Sequence, residues 1–146
     1  MSVRVGIVGG AGYTGGELLR LLCMHPHAEI AWATSRGRSG WSASTIHPNL
    51  RGVLDLALID PGDVEPVDVV FLCLPHGQTA ADIDRYATLA DRVIDLSSDF
   101  RLRDAALYEA TYGQPHAAPQ WLDRFVYGLP EAHREQLVDA RCISGV

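Results

Sequence analysis

Apolar residues arrive along this chain in short blocks separated by polar or glycine-rich stretches, and the blocks alternate between two periods. Val3, Val5, Ile7 and Val8 form a run that stops at Gly9, as a buried strand does. Between 15 and 24, apolar positions 18, 19, 21 and 22 suit a helix buried on a wide face and ended by His25-Pro26. Residues 29–34 read as a second strand and 35–50 as a long polar loop. Residues 53–59 read as a third strand, closed by Asp60-Pro61-Gly62. The most apolar stretch, 67–74, suits a central parallel strand covered on both faces. A helix over 78–90 carries Ala80, Ile83, Ala87 and Ala90 at helical spacing. A strand at 92–96, helices at 104–112 and 131–140, and a short strand at 141–144 complete the pattern. The stretch 113–120 reads as a surface loop, and Tyr127 to Glu131 as a loop leading into a helix, with Pro and Glu in its first turn.

Strands alternating with helices predict an α/β fold: a doubly wound, Rossmann-type parallel sheet of about six strands with helices on both faces. That count uses 1–146 as one dinucleotide-binding domain, with little left over for a second.

Composition narrows the chemistry. The 146 residues carry a net charge of −6, which argues against a nucleic-acid or anionic-membrane binder. No apolar run approaches the roughly 18 residues of a membrane span, and no secretory leader is visible. All twelve basic residues are Arg, which excludes Schiff-base lysines, the phosphate-loop lysine and the Tyr-x-x-x-Lys pair of short-chain dehydrogenases. Cys23, Cys73 and Cys142 are far apart and form no C-x-x-C pair, so no disulfide framework or zinc site is expected and a reduced, cytoplasmic setting is. Cys23 and Cys73 read as small core residues, and Cys142 as a buried strand residue. His25 and His27 have no third ligand nearby in sequence and read as a solvated turn, so no metal is expected.

The chemistry-bearing segment is Gly9-Gly10-Ala11-Gly12-Tyr13-Thr14-Gly15-Gly16. It matches G-x-G-x-x-G through Gly10, Gly12 and Gly15, between a strand and a helix. One glycine permits the tight turn, another lets backbone approach a pyrophosphate, and a third lets helix and strand pack closely. The helix N-terminus presents N–H groups and a positive dipole end to phosphate. The same residues would also serve as a plain glycine-rich turn. An NAD-preferring site places an acid at the end of the second strand; here Thr34-Ser35-Arg36-Gly37-Arg38 offers a hydroxyl and two guanidiniums. Guanidiniums suit a ribose 2′-phosphate, so NADP is favoured, although Arg36 and Arg38 would also be unremarkable as solvated loop charges. Pro75 and His76 lie just past the carboxyl end of the 67–74 strand, where open sheets bind ligands; His76 would equally serve as a turn residue. Ser98, Arg101 and Arg103 fall beyond the next strand, where they could meet a substrate or its phosphate.

Taken together, Gly-Tyr-Thr-Gly-Gly-Glu-Leu (12–18), Thr-Ser-Arg (34–36), His-Pro-Asn-Leu-Arg-Gly (47–52), Leu-Pro-His-Gly (74–77), Asp-Leu-Ser-Ser-Asp-Phe-Arg-Leu (95–102), Tyr-Gly-Leu-Pro-Glu (127–131) and Ile-Ser-Gly-Val (143–146) give the chain a family likeness. It resembles the N-terminal part of the N-acetyl-γ-glutamyl-phosphate reductases of arginine biosynthesis. It is equally similar to the reductases of carrier-protein-linked aminoadipyl phosphate in lysine biosynthesis.

The resemblance implies an oxidoreductase that uses NADPH to reduce an acyl phosphate to a semialdehyde. A cysteine thiolate attacks, phosphate leaves, hydride reduces the thioester, and a histidine of a second domain assists. It implies that Gly10 to Thr14 hold the pyrophosphate and that Ser35 and Arg36 hold the ribose phosphate. The family's second basic residue falls at Gly37 here, with Arg38 one position later. It further implies that the nucleophile follows a Gly just after Val146. The substrate and dimerisation domain is then absent from this chain, no catalytic residue lies within it, and the chain alone is expected to be inactive. The expected partners are a small acyl phosphate or a carrier-protein-linked one, and further copies of the intact enzyme. A non-catalytic dinucleotide-binding module remains the alternative reading.

Overall fold

A computed structural model describes residues 2–146. Six strands form one sheet: β1 (Val3–Val8), β2 (Ala28–Ala33), β3 (Val67–Leu72), β4 (Ala90–Asp95), β5 (Phe125–Tyr127) and β6 (Cys142–Ser144). All pairs are parallel, in the order β2-β1-β3-β4-β6-β5. The chain leaves β1 for β2 on one side and returns to β3 on the other. The order therefore reverses between β1 and β3, and a ligand crevice opens beyond their carboxyl ends.

The period of two along the central strands divides the core. On β3, Val70 and Leu72 enter one cluster with Val93, Phe100 and Phe125, while Phe71, and Cys73 just past the strand's end, pack against another with Val5, Ile7, Leu19 and Leu58. Both faces of β1 and β3 are covered, as their near-continuous apolar runs require.

The helices are α1 (Tyr13–Leu22), α2 (Ala43–Ile46), α3 (Gln78–Ala81), α4 (Ile83–Leu89), α5 (Ala105–Tyr112) and α6 (Pro130–Val138). Several sequence expectations fail here. Residues 53–59 form no strand: Ile59 makes one parallel bridge with Thr34, and Ala57 makes one antiparallel bridge with Ser42. Leu58 is fully buried, so the apolar pattern marks burial under the sheet rather than a ladder. The stretch 35–50 is not all loop, because Ser42 caps α2 by accepting from the Ser44 N–H and a 3-10 turn follows at Pro48–Leu50. The sixth strand is instead β5, three residues long.

The helix expected over 78–90 breaks at Asp82 (φ −115°, ψ 13°), and Ala90 already belongs to β4. The 113–120 stretch is not all surface loop either: His116 and Ala118 are buried, and a 3-10 turn, Pro119–Arg124, begins inside it. Cys142 is buried as expected, whereas Cys23 is half-exposed at the C-cap of α1, its Sγ 3.2 Å from the Arg20 carbonyl. Among the described residues, no helix is long and apolar enough to cross a membrane.

Candidate dinucleotide site

The glycine loop turns out of β1 into α1, and each glycine has a distinct reason. Gly9 sits at φ +88°, and a Cβ there would lie 2.5 Å from the Cys73 carbonyl oxygen. A Cβ on Gly15 would lie 2.4 Å from the Gly9 carbonyl oxygen, so this glycine lets α1 press on the turn. A Cβ on Gly12 would meet only the Gly9 oxygen, at 3.6 Å. Nothing in the protein demands a glycine at 12; the space above it is open. Gly12 is also the N-cap of α1, with no capping side chain and no acid in the first turn. The helix therefore opens with amide donors and no competing carboxylate. Ala11 and Thr14 line the same turn, and Tyr13 is fully exposed.

Two residues outside the motif hold the loop; both fall in runs that carry the family likeness, but neither was expected in this role. Thr34, buried at the end of β2, accepts from the Gly9 N–H through Oγ1 (3.3 Å) and from the Gly10 N–H through its carbonyl (2.8 Å). His47 places Nε2 2.8 Å from the Gly10 carbonyl oxygen. Its ring fills the space where Gly16 would carry a Cβ, 2.4 Å from Cε1. A His in a polar loop carries no sequence signal for this contact, although the pairing of a second helix glycine with it is visible once the fold is known. Gly16→Ala should lower stability in the wild type by about 1–3 kcal/mol, the usual overpacking cost. In a His47→Ala background most of that loss should vanish. A double-mutant cycle by urea denaturation measures the coupling.

Two recesses flank the loop. One, of about 320 Å³, is lined by Gly9, Ser35, Arg36, Leu74, Gly77 and Tyr86 among others. Arg36 projects into it from the end of β2 and donates through Nη2 to Gln78 Oε1 (2.5 Å). The other, of about 300 Å³, is lined by Ala11, Gly12, Tyr13, Arg38, Ile46 and His47. Arg36 and Arg38 thus line different recesses, with the Arg38 guanidinium 6.0 Å from the Trp41 ring centre.

At the carboxyl ends of β3 and β4 a polar cluster gathers. His76 places Nδ1 2.7 Å from Ser98 Oγ and 2.8 Å from Asp99 Oδ1, and Nε2 3.2 Å from the Tyr108 hydroxyl. The Tyr112 ring lies 4.3 Å away. Asp99 is fully buried and accepts from the Gly77 (2.6 Å) and Ala80 (2.9 Å) N–H groups, which ties the start of α3 to the cluster. Pro75 is exposed at the same rim and accepts from the Gln78 N–H. Ser98 and His76, predicted separately, are therefore neighbours. Arg101 donates to the Gly145 and Ser97 carbonyls, and Arg103 to the Phe125 carbonyl, so both partly serve to tie chain segments together.

Beneath lies Asp95, fully buried, accepting from Ser97 N–H (3.0 Å) and Ser97 Oγ (2.8 Å). Burial pushes its carboxyl up to about 6. Burial, helped by the charge of Asp95, pushes the Cys73 thiol up to about 12, and burial also raises Cys142. Neither of these thiols is ionised near neutral pH, which is the state a nucleophile needs.

The sequence profile described as the semialdehyde dehydrogenase NAD-binding domain matches residues 4–140. A protein of Thermomicrobium roseum named putative [LysW]-L-2-aminoadipate 6-phosphate reductase is 55% identical over 144 residues, covering 99% of this chain and 41% of that protein. An N-acetyl-gamma-glutamyl-phosphate reductase of Pseudomonas fluorescens is 50% identical over 145 residues, covering 97% of this chain and 42% of that protein. The chain thus spans about two-fifths of the length of these relatives. Among solved structures, aspartate semialdehyde dehydrogenase II of Vibrio cholerae matches with a TM-score of 0.68 at 14% identity, covering 99% of this chain and 38% of that one. The NADP-bound aspartate semialdehyde dehydrogenase of Candida albicans matches with a TM-score of 0.62 at 16% identity, covering 100% of this chain and 42% of that one. These two likenesses bear on the fold.

Proposed function

This chain belongs to the semialdehyde dehydrogenase NAD-binding domain family, and we propose that it is the NADPH-binding unit of a longer reductase that converts an acyl phosphate to a semialdehyde. The observation that carries the reading is an uncapped α1 N-terminus at Gly12 with open space above it, together with Arg36, rather than an acid, just past the end of β2 in the recess that Gly9 also lines. These residues fit a dinucleotide phosphate ester. The amides opening α1 would hold the pyrophosphate, and Ser35 with Arg36 the 2′-phosphate. When bound, the cofactor supplies the hydride. The chain's own contribution is to fix the loop through Thr34 and His47, and to order the rim through Asp99 and His76.

For the substrate we favour N-acetyl-γ-glutamyl phosphate, after the reductase name carried by the 50% identical Pseudomonas fluorescens relative. A second reading, carrier-linked aminoadipyl phosphate, is favoured by the 55% identity to the Thermomicrobium protein. Assaying the longest natural form of the protein on both acyl phosphates decides between them.

Cofactor choice is tested on the chain itself. Arg36→Ala should weaken NADPH binding about tenfold or more, as loss of a charge-assisted contact does, and leave NADH nearly unchanged. Isothermal titration reads both; equal losses would refute the assignment of Arg36. The 146-residue chain should also show no acyl-phosphate-dependent NADPH oxidation, because Cys73 and Cys142 stay protonated and half-exposed Cys23 lies at the far end of α1. Turnover that disappears in Cys142→Ser would overturn that expectation.

A further inference from the structure

We propose that a recess at the end of the sheet opposite the glycine loop, bounded by Arg124 and Arg141, binds a small organic acid. The cavity measures about 320 Å³, room for roughly ten water-sized groups. It lies where β4 and β6 begin, and Val93 and Cys142, paired across those two strands, line it. Trp121 lines it too, held by its Nε1 donating to Asp84 Oδ1 (2.8 Å).

The two guanidiniums are the unusual feature. Arg124 stacks over the Trp121 ring with Cζ 4.4 Å from its centre, and its guanidinium makes no hydrogen bond to another group among the described residues. Arg141 is fixed by Nε donating to the Asp91 carbonyl (3.1 Å), which leaves its terminal amino groups without a protein partner among the described residues. Neither enters an ion pair there. Stacking and a single backbone bond hold both forks in place without using their remaining donors, which preorganises them for a carboxylate or phosphate. Asp91 also lines the recess, so its residues include two arginines and one acid. An apolar floor, an aromatic wall and a few convergent polar donors are the usual make-up of a small-molecule site. The ligand these features select carries one acid group on a short apolar or planar body. Because both arginines are solvent-exposed, millimolar affinity is expected.

The test is an NMR titration of the ¹⁵N-labelled chain with four probes: benzoate, phenyl phosphate, benzyl alcohol as the neutral isostere, and inorganic phosphate. Saturable benzoate or phenyl phosphate binding is expected, moving the Trp121 indole and the amides of Val93 and Cys142. Which of the two binds tighter tells carboxylate from phosphate recognition. Benzyl alcohol should bind about tenfold more weakly or worse. Arg124→Gln and Arg141→Gln should each weaken binding about as much, and NADPH affinity should not change. Equal binding of benzyl alcohol, non-saturable shifts, or unchanged affinity in the double variant would overturn the proposal. Inorganic phosphate binding as tightly as phenyl phosphate would overturn the role of the apolar walls. Should the variants fail to fold, the isostere comparison on the wild-type chain decides alone.

Discussion

Gly12→Val should leave the chain folded and remove its dinucleotide binding. The two halves of that outcome have separate causes. Gly12 has φ −81° and ψ 171°, extended backbone open to any residue, and a Cβ there meets nothing closer than 3.6 Å. The cost to folding is that of a poorer N-cap, at most about 1 kcal/mol. The added branches would instead fill the space above the α1 amides, where a pyrophosphate must approach. Losing two charge-assisted contacts corresponds to about 100-fold or more in affinity for NADPH and NADH alike. The comparison that isolates the effect is Gly15→Ala. Its Cβ would press on the Gly9 and Gly10 backbone, so it should lower the melting temperature first and binding only in consequence. Circular dichroism and calorimetric titration on the two variants separate them. Normal binding by a folded Gly12→Val would make the loop structural only.

The contrast between Gly12 and Gly15 also marks where sequence reading reaches its limit. The motif announced that glycines were needed, because strand, glycines and helix are adjacent in the chain and their interplay is local. Which glycine serves packing and which serves a ligand depends on what lies across the turn. The same holds for strands. β1 and β3 were legible because both faces of each are covered along most of their length, so their apolar runs are nearly continuous, with Arg4 and Asp68 the polar exceptions. The 53–59 segment has the same apolar residues, yet Ala57 pairs with Ser42 and Ile59 with Thr34, so it crosses the edge of the sheet without joining it. β5 has three residues, too few to establish a period, and its place beside β6 is fixed by a partner seventeen residues on. Cys23 looked like core because its helix is apolar, but it falls at the C-cap, where the last turn leaves the sheet. His47, Thr34 and Asp99 act through contacts 19 to 37 residues distant in sequence, and no local pattern encodes those.

Asp95 supplies the other large effect, on stability rather than binding. Its carboxyl ordinarily titrates near 3.8 and is pushed up to about 6, with burial the leading cause. The folded state therefore keeps a proton that the unfolded chain has already released. A raised folded value contributes stability in full below about pH 4, loses it as pH climbs to 6, and contributes none of it above. Two units correspond to about 3 kcal/mol, an upper figure because buried groups relax on ionising. Asp95→Asn removes this titration while keeping an oxygen to accept from the Ser97 N–H. The difference in unfolding free energy between variant and wild type should therefore rise in the variant's favour between pH 4 and 6.5, then level off. Taking the difference matters, because every other carboxylate titrates in both proteins and cancels. Urea denaturation at half-unit pH steps measures it. A flat difference would mean that Asp95 stays ionised in the fold and that its two bonds from Ser97 outweigh its burial.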